Sequence, residues 1–297
     1  MNGYGHAYRK WLGIPDWAPL PFYGDHGVLT AGYLAEHELA QKTNLFFTFG
    51  KKRFEALNTQ YNQFKIIRCP SPWVMYRQKK QINISPNARG TLIFIPKSLP
   101  EYKFKFSLKN YVDQVLDSDK YEAPYSFVLH HHDKNSLIEE QLKQYKYKII
   151  SFGSDSFYSN IIDNFYATVS KYAFAVSAFP GSELFYAHEL GLSFTKIQID
   201  IEGVPLSDKL RNVFDLQVMD KCSQEARIAI NNLFSDDVIH DRLKQDLWVN
   251  EMISLDLANP ENTAYFRSLV FKEFVPQLPN YIKGISGRAL SRLNFFK

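Results

Sequence analysis

Cysteine is scarce in this chain of 297 residues: Cys69 and Cys222 stand alone and far apart. Without a Cys-x-x-Cys pair, cysteine-built zinc and dithiol sites are excluded, and a reducing cytoplasm is the expected compartment. Charge of one sign is lacking too. A net charge of +4 is too small to mark a nucleic-acid binder. No apolar run approaches the roughly 18 residues of a membrane span. Residues 1–11 are polar and Gly/Tyr-rich, which predicts no signal peptide. Several catalytic signatures are absent. Gly50-Lys51-Lys52 lacks the upstream glycine of a P-loop, and Gly3-Tyr4-Gly5 follows no strand. His37-Glu38 and His188-Glu189 lack the second histidine of a zinc-protease helix, and no Gly-x-Ser-x-Gly elbow occurs.

What is present is a chain rich in aromatics, 15%, with 45% hydrophobic and 22% charged residues. That composition fits one or two domains with sizeable cores. Residues 1–40 mix glycine and proline with aromatics and read as a loop-rich segment packed through its rings. Strands follow at 44–50 and 64–68 with a helix at 51–60, and 87–90 reads as a linker. From 91 the pattern is regular. Strands at 91–95, 125–129, 147–152, 173–177 and 193–201 alternate with helices at 108–116, 136–145, 159–170 and 182–190, and 96–105 reads as a loop. Ser136 and Glu139 form a capping box. Short apolar strands alternating with helices predict a parallel sheet covered on both faces. Ligands sit at the carboxyl ends of such strands, here the loops 96–100, 130–134, 153–156 and 178–183. Beyond 206 the pattern is helical, at 208–216, 223–234, 237–247, 262–274 and 285–295. The last stretch carries Lys283, Arg288, Arg292 and Lys297 without an acid, a composition able to lie on an anionic membrane or to dock on the body.

The stretch 173–195 contains an apolar run, a break at Pro180-Gly181, a helix opening with Ser182 and Glu183, and a stop at Gly191. A helix N-terminus after a Gly-Ser turn offers free N–H groups and positive dipole to a phosphate. His130-His131-His132 ends another strand. Adjacent strand residues face opposite ways, which argues against a shared metal ion; His130 is placed instead as a ligand contact. Gly153-Ser154-Asp155-Ser156 ends a third strand. Asp25-His26, beside flexible glycines, offers a carboxylate or an imidazole as general base.

The series Gly181-Ser182-Glu183-x-x-Tyr186-Ala187-x-x-Leu190-Gly191-x-x-Phe194 resembles the donor-site helix of GT-B glycosyltransferases of the bacterial surface-polysaccharide type. The run from Gly90 to Ser98 resembles that family's entry into the donor domain, and Asp25-His26-Gly27 its N-domain His-Gly turn. The resemblance implies an α/β, GT-B-like fold of two Rossmann-like lobes. A small N-terminal lobe at 1–88 would take the acceptor, residues 89–235 would bind a nucleotide-sugar, and helices at 236–297 would brace both. It implies a glycosyltransferase moving sugar from a nucleotide-sugar to a surface-glycan or lipid-linked acceptor. Asp25 or His26 would be catalytic, and Ser98, His130, Ser154, Ser156, Pro180, Gly181, Ser182 and Glu183 would bind donor. It further implies no metal and no cofactor. The expected setting is cytoplasmic, with peripheral inner-membrane contact through the basic C-terminus and no nucleic-acid partner. Two departures stand out: the first lobe is short, and Glu183 and Glu189 are six apart where many retaining members space an acidic pair by seven. Inverting or retaining chemistry stays open, as does a non-catalytic module binding glycan or protein.

Overall fold

The computed structural model describes residues 3–16, 18–41, 43–97, 102–153, 161–205, 215 and 218–277. Helix α1 (Tyr4–Leu12) opens the chain where the sequence predicted loop. Gly3 and Gly13 flank it in the left-handed region, so the glycines that read as loop residues are its two ends. Tyr4, Ala7, Tyr8, Trp11 and Leu12 bury at helical spacing.

The N-terminal sheet is parallel, in the order β1 (Tyr23–Gly24), β2 (Leu45–Thr48), β3 (Lys65–Arg68). α2 (Glu36–Leu39) lies between β1 and β2, α3 (Lys51–Gln60) joins β2 to β3, and α4 (Pro72–Lys79) follows. Alternation sorts the two faces of β2. Phe47 enters the main core, and Phe46 packs with Leu34, Leu57 and Ile66 on the other side.

The second sheet holds β4 (Thr91–Phe94), β6 (Tyr125–Val128), β7 (Lys148–Ile150), β8 (Phe174–Ser177) and β9 (Ser193–Lys196), all parallel. Its order is β7-β6-β4-β8-β9, which is 3-2-1-4-5 in chain order. That is the Rossmann order, and its switch point falls between β4 and β8. Leu92 and Phe94 face the core shared with the first lobe; Ile93 and Ile95 face α5 (Leu108–Leu116) and α6 (Leu137–Lys143). α7 (Ile161–Val169) and α8 (Ser182–Leu190) cover the shared-core side. Gly90 takes φ 84° where the chain enters β4, and a Cβ there would lie 2.3 Å from the Pro124 carbonyl oxygen, so only glycine fits.

Two expectations fail here. Residues 96–105 are not all loop: β5 (Tyr102–Lys105) pairs antiparallel with β10 (Glu202–Pro205). The single strand read over 193–201 stops at Lys196. Tyr102-Lys103-Phe104-Lys105 carries the period-2 alternation of a strand on a two-stranded arm, whereas the buried strands of the main sheet are continuous apolar runs.

The C-terminal helices are α9 (Lys221–Phe234), α10 (Arg242–Met252) and α11 (Pro260–Phe274). α10 starts at Arg242 rather than at 237, because Ser235 bridges Lys196 of β9 and Asp241 takes the N-cap, accepting from Lys244 N–H. α9 packs on β9, α10 on α8 and α11 on α1, so the chain returns from the second lobe to the first. Trp11 packs its ring 5.6 Å from Phe266 and donates its indole N–H to Thr263 at 3.1 Å. Ser254, left-handed and fully buried, accepts from Arg68 Nε at 2.8 Å and from the Gly50 N–H. The expected helices at 208–216 and 285–295 lie outside the described residues, as does the basic tail. Among the described residues no helix is long and apolar enough to cross a membrane.

Candidate functional site

Helix α8 is where the lobes meet. Its residues Leu184 to His188 are all buried. The Tyr186 hydroxyl lies 2.8 Å from Tyr4 Oη and 2.9 Å from Ser71 Oγ, and its ring stacks on Trp73 at 5.0 Å. Arg77 of α4 holds Glu189 through Nε at 2.9 Å. Glu189 is thereby committed to an inter-lobe ion pair at the far end of α8 from Ser182.

The other end of α8 sits at the switch point. Ser182 Oγ accepts the backbone N–H of Val28 at 2.9 Å, and a Cβ on Gly27 would lie only 3.0 Å from that oxygen. The close approach explains the glycine after His26. The two candidate stretches, Asp25-His26-Gly27 and Gly181-Ser182, are therefore adjacent although more than 150 residues apart in sequence. Ser182 uses its hydroxyl to hold the N-terminal turn, while its backbone still belongs to the first turn of α8.

Glu183 folds back over that turn. Its Oε1 accepts the Gly181 N–H at 2.7 Å. Burial raises its carboxyl, while the Gly181 and Glu183 N–H groups and Lys97 pull the other way. A carboxylate thus occupies the place where a helix start receives an anion. Pro180 is half-buried beside it, and the preceding Phe179 packs on Phe104 of β5 at 4.5 Å. The antiparallel arm, absent from the sequence reading, thereby reaches the loop leading into α8.

Asp25 is fully buried. Its carboxylate accepts Thr48 Oγ1 at 2.6 Å, Arg53 Nε at 3.1 Å and Arg53 Nη2 at 2.9 Å. Arg53 also donates to the carbonyls of Tyr33 and Ala31. Both Asp25 oxygens are engaged, so this carboxylate anchors the turn that carries His26. His26 is half-buried, and its Nδ1 is buried without a hydrogen-bond partner. Burial, then the neighbouring His37, lowers its proton affinity, leaving a neutral imidazole near pH 7.

His130 ends β6. Burial, with His131, Lys97 and His132, lowers it to about 3. The sequence argument that three consecutive histidines diverge fails. His131–Asp133 form a 3₁₀ turn, and donor nitrogens of His130, His131 and His132 lie within 4.8 Å of one another. Lys97, three residues past β4, acts electrostatically on both His130 and Glu183. Lys97 is not among the residues the sequence singles out; its positive charge just beyond a strand of the parallel sheet was the available signal. Ser98, Ser154 and Ser156 lie outside the described residues.

The fold defines a two-lobed α/β protein with Rossmann-like lobes, the N-terminal one small, joined through α8 and braced by C-terminal helices. No protein-family model matches the chain. No curated protein matches it either. Among solved structures it is similar to the wall teichoic acid polymerase TagF, with 14% identity and a TM-score of 0.41 over 80% of this chain and 59% of that one. A histidine variant of TagF gives 13% identity and a TM-score of 0.43, over 80% and 60%. A further TagF structure, soaked with CDPG, gives 12% and 0.37, over 80% and 57%. The chain thus spans somewhat under two thirds of the length of these structures.

Proposed function

We propose that the chain is a glycosyltransferase that moves a sugar from a nucleotide-sugar to a surface-glycan or lipid-linked acceptor. The observation that carries this reading is the hydrogen bond from Val28 N–H to Ser182 Oγ. It sets the His26 turn of one lobe on the start of α8 in the other, where this reading puts the donor phosphates. A donor diphosphate at Gly181 and Ser182 would meet backbone N–H groups and the α8 dipole, with Lys97 and His130 just beyond adjoining strands. The reading needs no metal at the phosphates, because those groups offset the leaving-group charge. In the transfer the bond from anomeric carbon to phosphate oxygen breaks, and a bond to the acceptor oxygen forms. The acceptor proton passes to His26, and the nucleoside diphosphate leaves with the electron pair. His26 is preferred to Asp25 as base because it is neutral and its Nδ1 is unpartnered, whereas Asp25 is consumed by Arg53 and Thr48.

The test is a transfer assay with a panel of nucleotide-sugars on the wild type and His26→Ala. The reading expects transfer by the wild type and loss of about a hundredfold or more in the variant, with folding retained. Equal transfer by both proteins would refute the base. A second reading is favoured by one observation. Glu183 already fills the anion position, as it would in a non-catalytic module that binds glycan or protein and no donor. Absence of transfer with every donor in the panel would support it.

A further inference from the structure

α2 brings His37 and Glu38 against His26, and neither of these two α2 residues has a part in the donor site. One donor atom from each of the three side chains can be chosen so that all lie within 4.8 Å of one another. The imidazoles of His26 and His37 stand edge to face, with ring centres 5.6 Å apart. Two atoms of the group are buried and lack any hydrogen-bond partner, His26 Nδ1 and Glu38 Oε1. Buried polar atoms without partners are uncommon and call for an occupant. Glu38 is itself 2% exposed.

The remaining contacts of Glu38 sharpen the case. Its Oε2 accepts the Ala35 N–H at 2.7 Å, which fixes the carboxylate plane and leaves Oε1 available. Arg53 is the nearest cation, but its Nη2 is 3.7 Å from Glu38 Oε1 and 2.9 Å from Asp25 Oδ1. Arg53 therefore compensates Asp25 first. Arg53 thus serves two buried carboxylates and reaches Glu38 only at 3.7 Å. Two imidazoles and one carboxylate are borderline donors that suit zinc and its first-row neighbours better than magnesium or calcium. A tetrahedral zinc with bonds of about 2.0–2.1 Å sets its donors roughly 3.3 Å apart. The group would close from within 4.8 Å to that spacing on binding, and His37 is its exposed member.

We propose that His26, His37 and Glu38 form a binding site for a divalent first-row transition metal, with Zn²⁺ the expected occupant and water completing its shell. The Ala35 N–H is the outer partner that orients the carboxylate. The site lies on the turn that contacts Ser182. Occupancy would hold the His26 imidazole as a ligand and so withhold it as a base; that consequence rests on the proposed transfer reaction, whereas the binding itself does not.

The test is calorimetric titration of metal-free protein with zinc chloride, repeated on His37→Ala, Glu38→Gln and His132→Ala. His37 and His132 are exposed, and circular dichroism checks that each variant folds. The expected result is one zinc per chain, weakened about tenfold or more by His37→Ala and by Glu38→Gln and unchanged by His132→Ala. Co²⁺ substituted at the same site should show tetrahedral visible absorption that His37→Ala removes. No zinc binding by the wild type, or binding that survives His37→Ala, overturns the proposal. Loss in His132→Ala alone places the ion on the His130–His132 turn and overturns it equally.

Discussion

Arg53 and Asp25 form a bidentate ion pair, with Arg53 2% and Asp25 0% exposed, and the pair underlies the turn that carries His26. Removing Arg53 takes the ion-pair partner from buried Asp25 and Glu38 together, and removing Asp25 leaves buried Arg53 with Glu38 at 3.7 Å as its counter-charge. Arg53→Ala should therefore lose about 3–5 kcal/mol of stability, read by urea unfolding. Asp25→Ala should fall similarly, and any loss of activity in it should track loss of folded protein. A stable Asp25→Ala protein without activity would point instead to a direct role for this carboxylate.

Glu183 accepts the Gly181 N–H at the start of α8. A phosphate arriving there must displace it. Glu183→Gln removes a charge whose attraction to the helix dipole, about 0.3–1 kcal/mol, is outweighed by its burial, and should leave stability unchanged or slightly raised. The same change should tighten nucleoside diphosphate binding about two- to fivefold, the equivalent of that energy. Thermal unfolding and calorimetry read the two effects. Weaker binding in the variant would show that Glu183 helps hold the donor instead of standing in its place.

His188 is 1% exposed, and its Nε2 lies 2.7 Å from Asp246 Oδ1. Burial, aided by Arg242 and opposed by Asp246, lowers its pKa to about 4. An unfolded histidine titrates near ~6.5. Below that pH the unfolded chain binds a proton that the folded chain refuses. The His188 contribution is thus fully present above about 6.5 and lost as pH falls towards 4. Unfolding midpoints between those pH values should fall with acid, and His188→Gln should flatten the slope. An equal slope in both proteins would remove His188 as its source.

The second sheet was legible because its strands are short apolar runs between clear helices, as 91–95, 125–129 and 173–177 show. α1 was not, because Gly3, Gly5 and Gly13 were read as breaks, although Tyr4, Tyr8 and Trp11 carry the helical spacing of a buried face. β5 and β10 escaped because each pairs with a strand about 100 residues away, and the four-residue alternation of Tyr102 to Lys105 names no partner at that distance. The site divides in the same way. Gly181-Ser182 declares a helix start locally. The commitment of Asp25 to Arg53, of Glu189 to Arg77 and of Ser182 to Val28 depends on partners the tertiary fold supplies. The histidine turn at 131–133 misled for a further reason: a 3₁₀ turn gathers side chains that a strand would separate.

The central claim is that a nucleoside diphosphate sits on the start of α8, facing the His26 turn. The most direct measurement is calorimetric titration of the wild type and Ser182→Trp with cytidine, uridine, guanosine and thymidine diphosphates. The account predicts that at least one binds the wild type at one site per chain, and that the indole, which fills the space between the lobes, abolishes binding while the protein stays folded. No binding by any of the four, or equal binding by the variant, would contradict it.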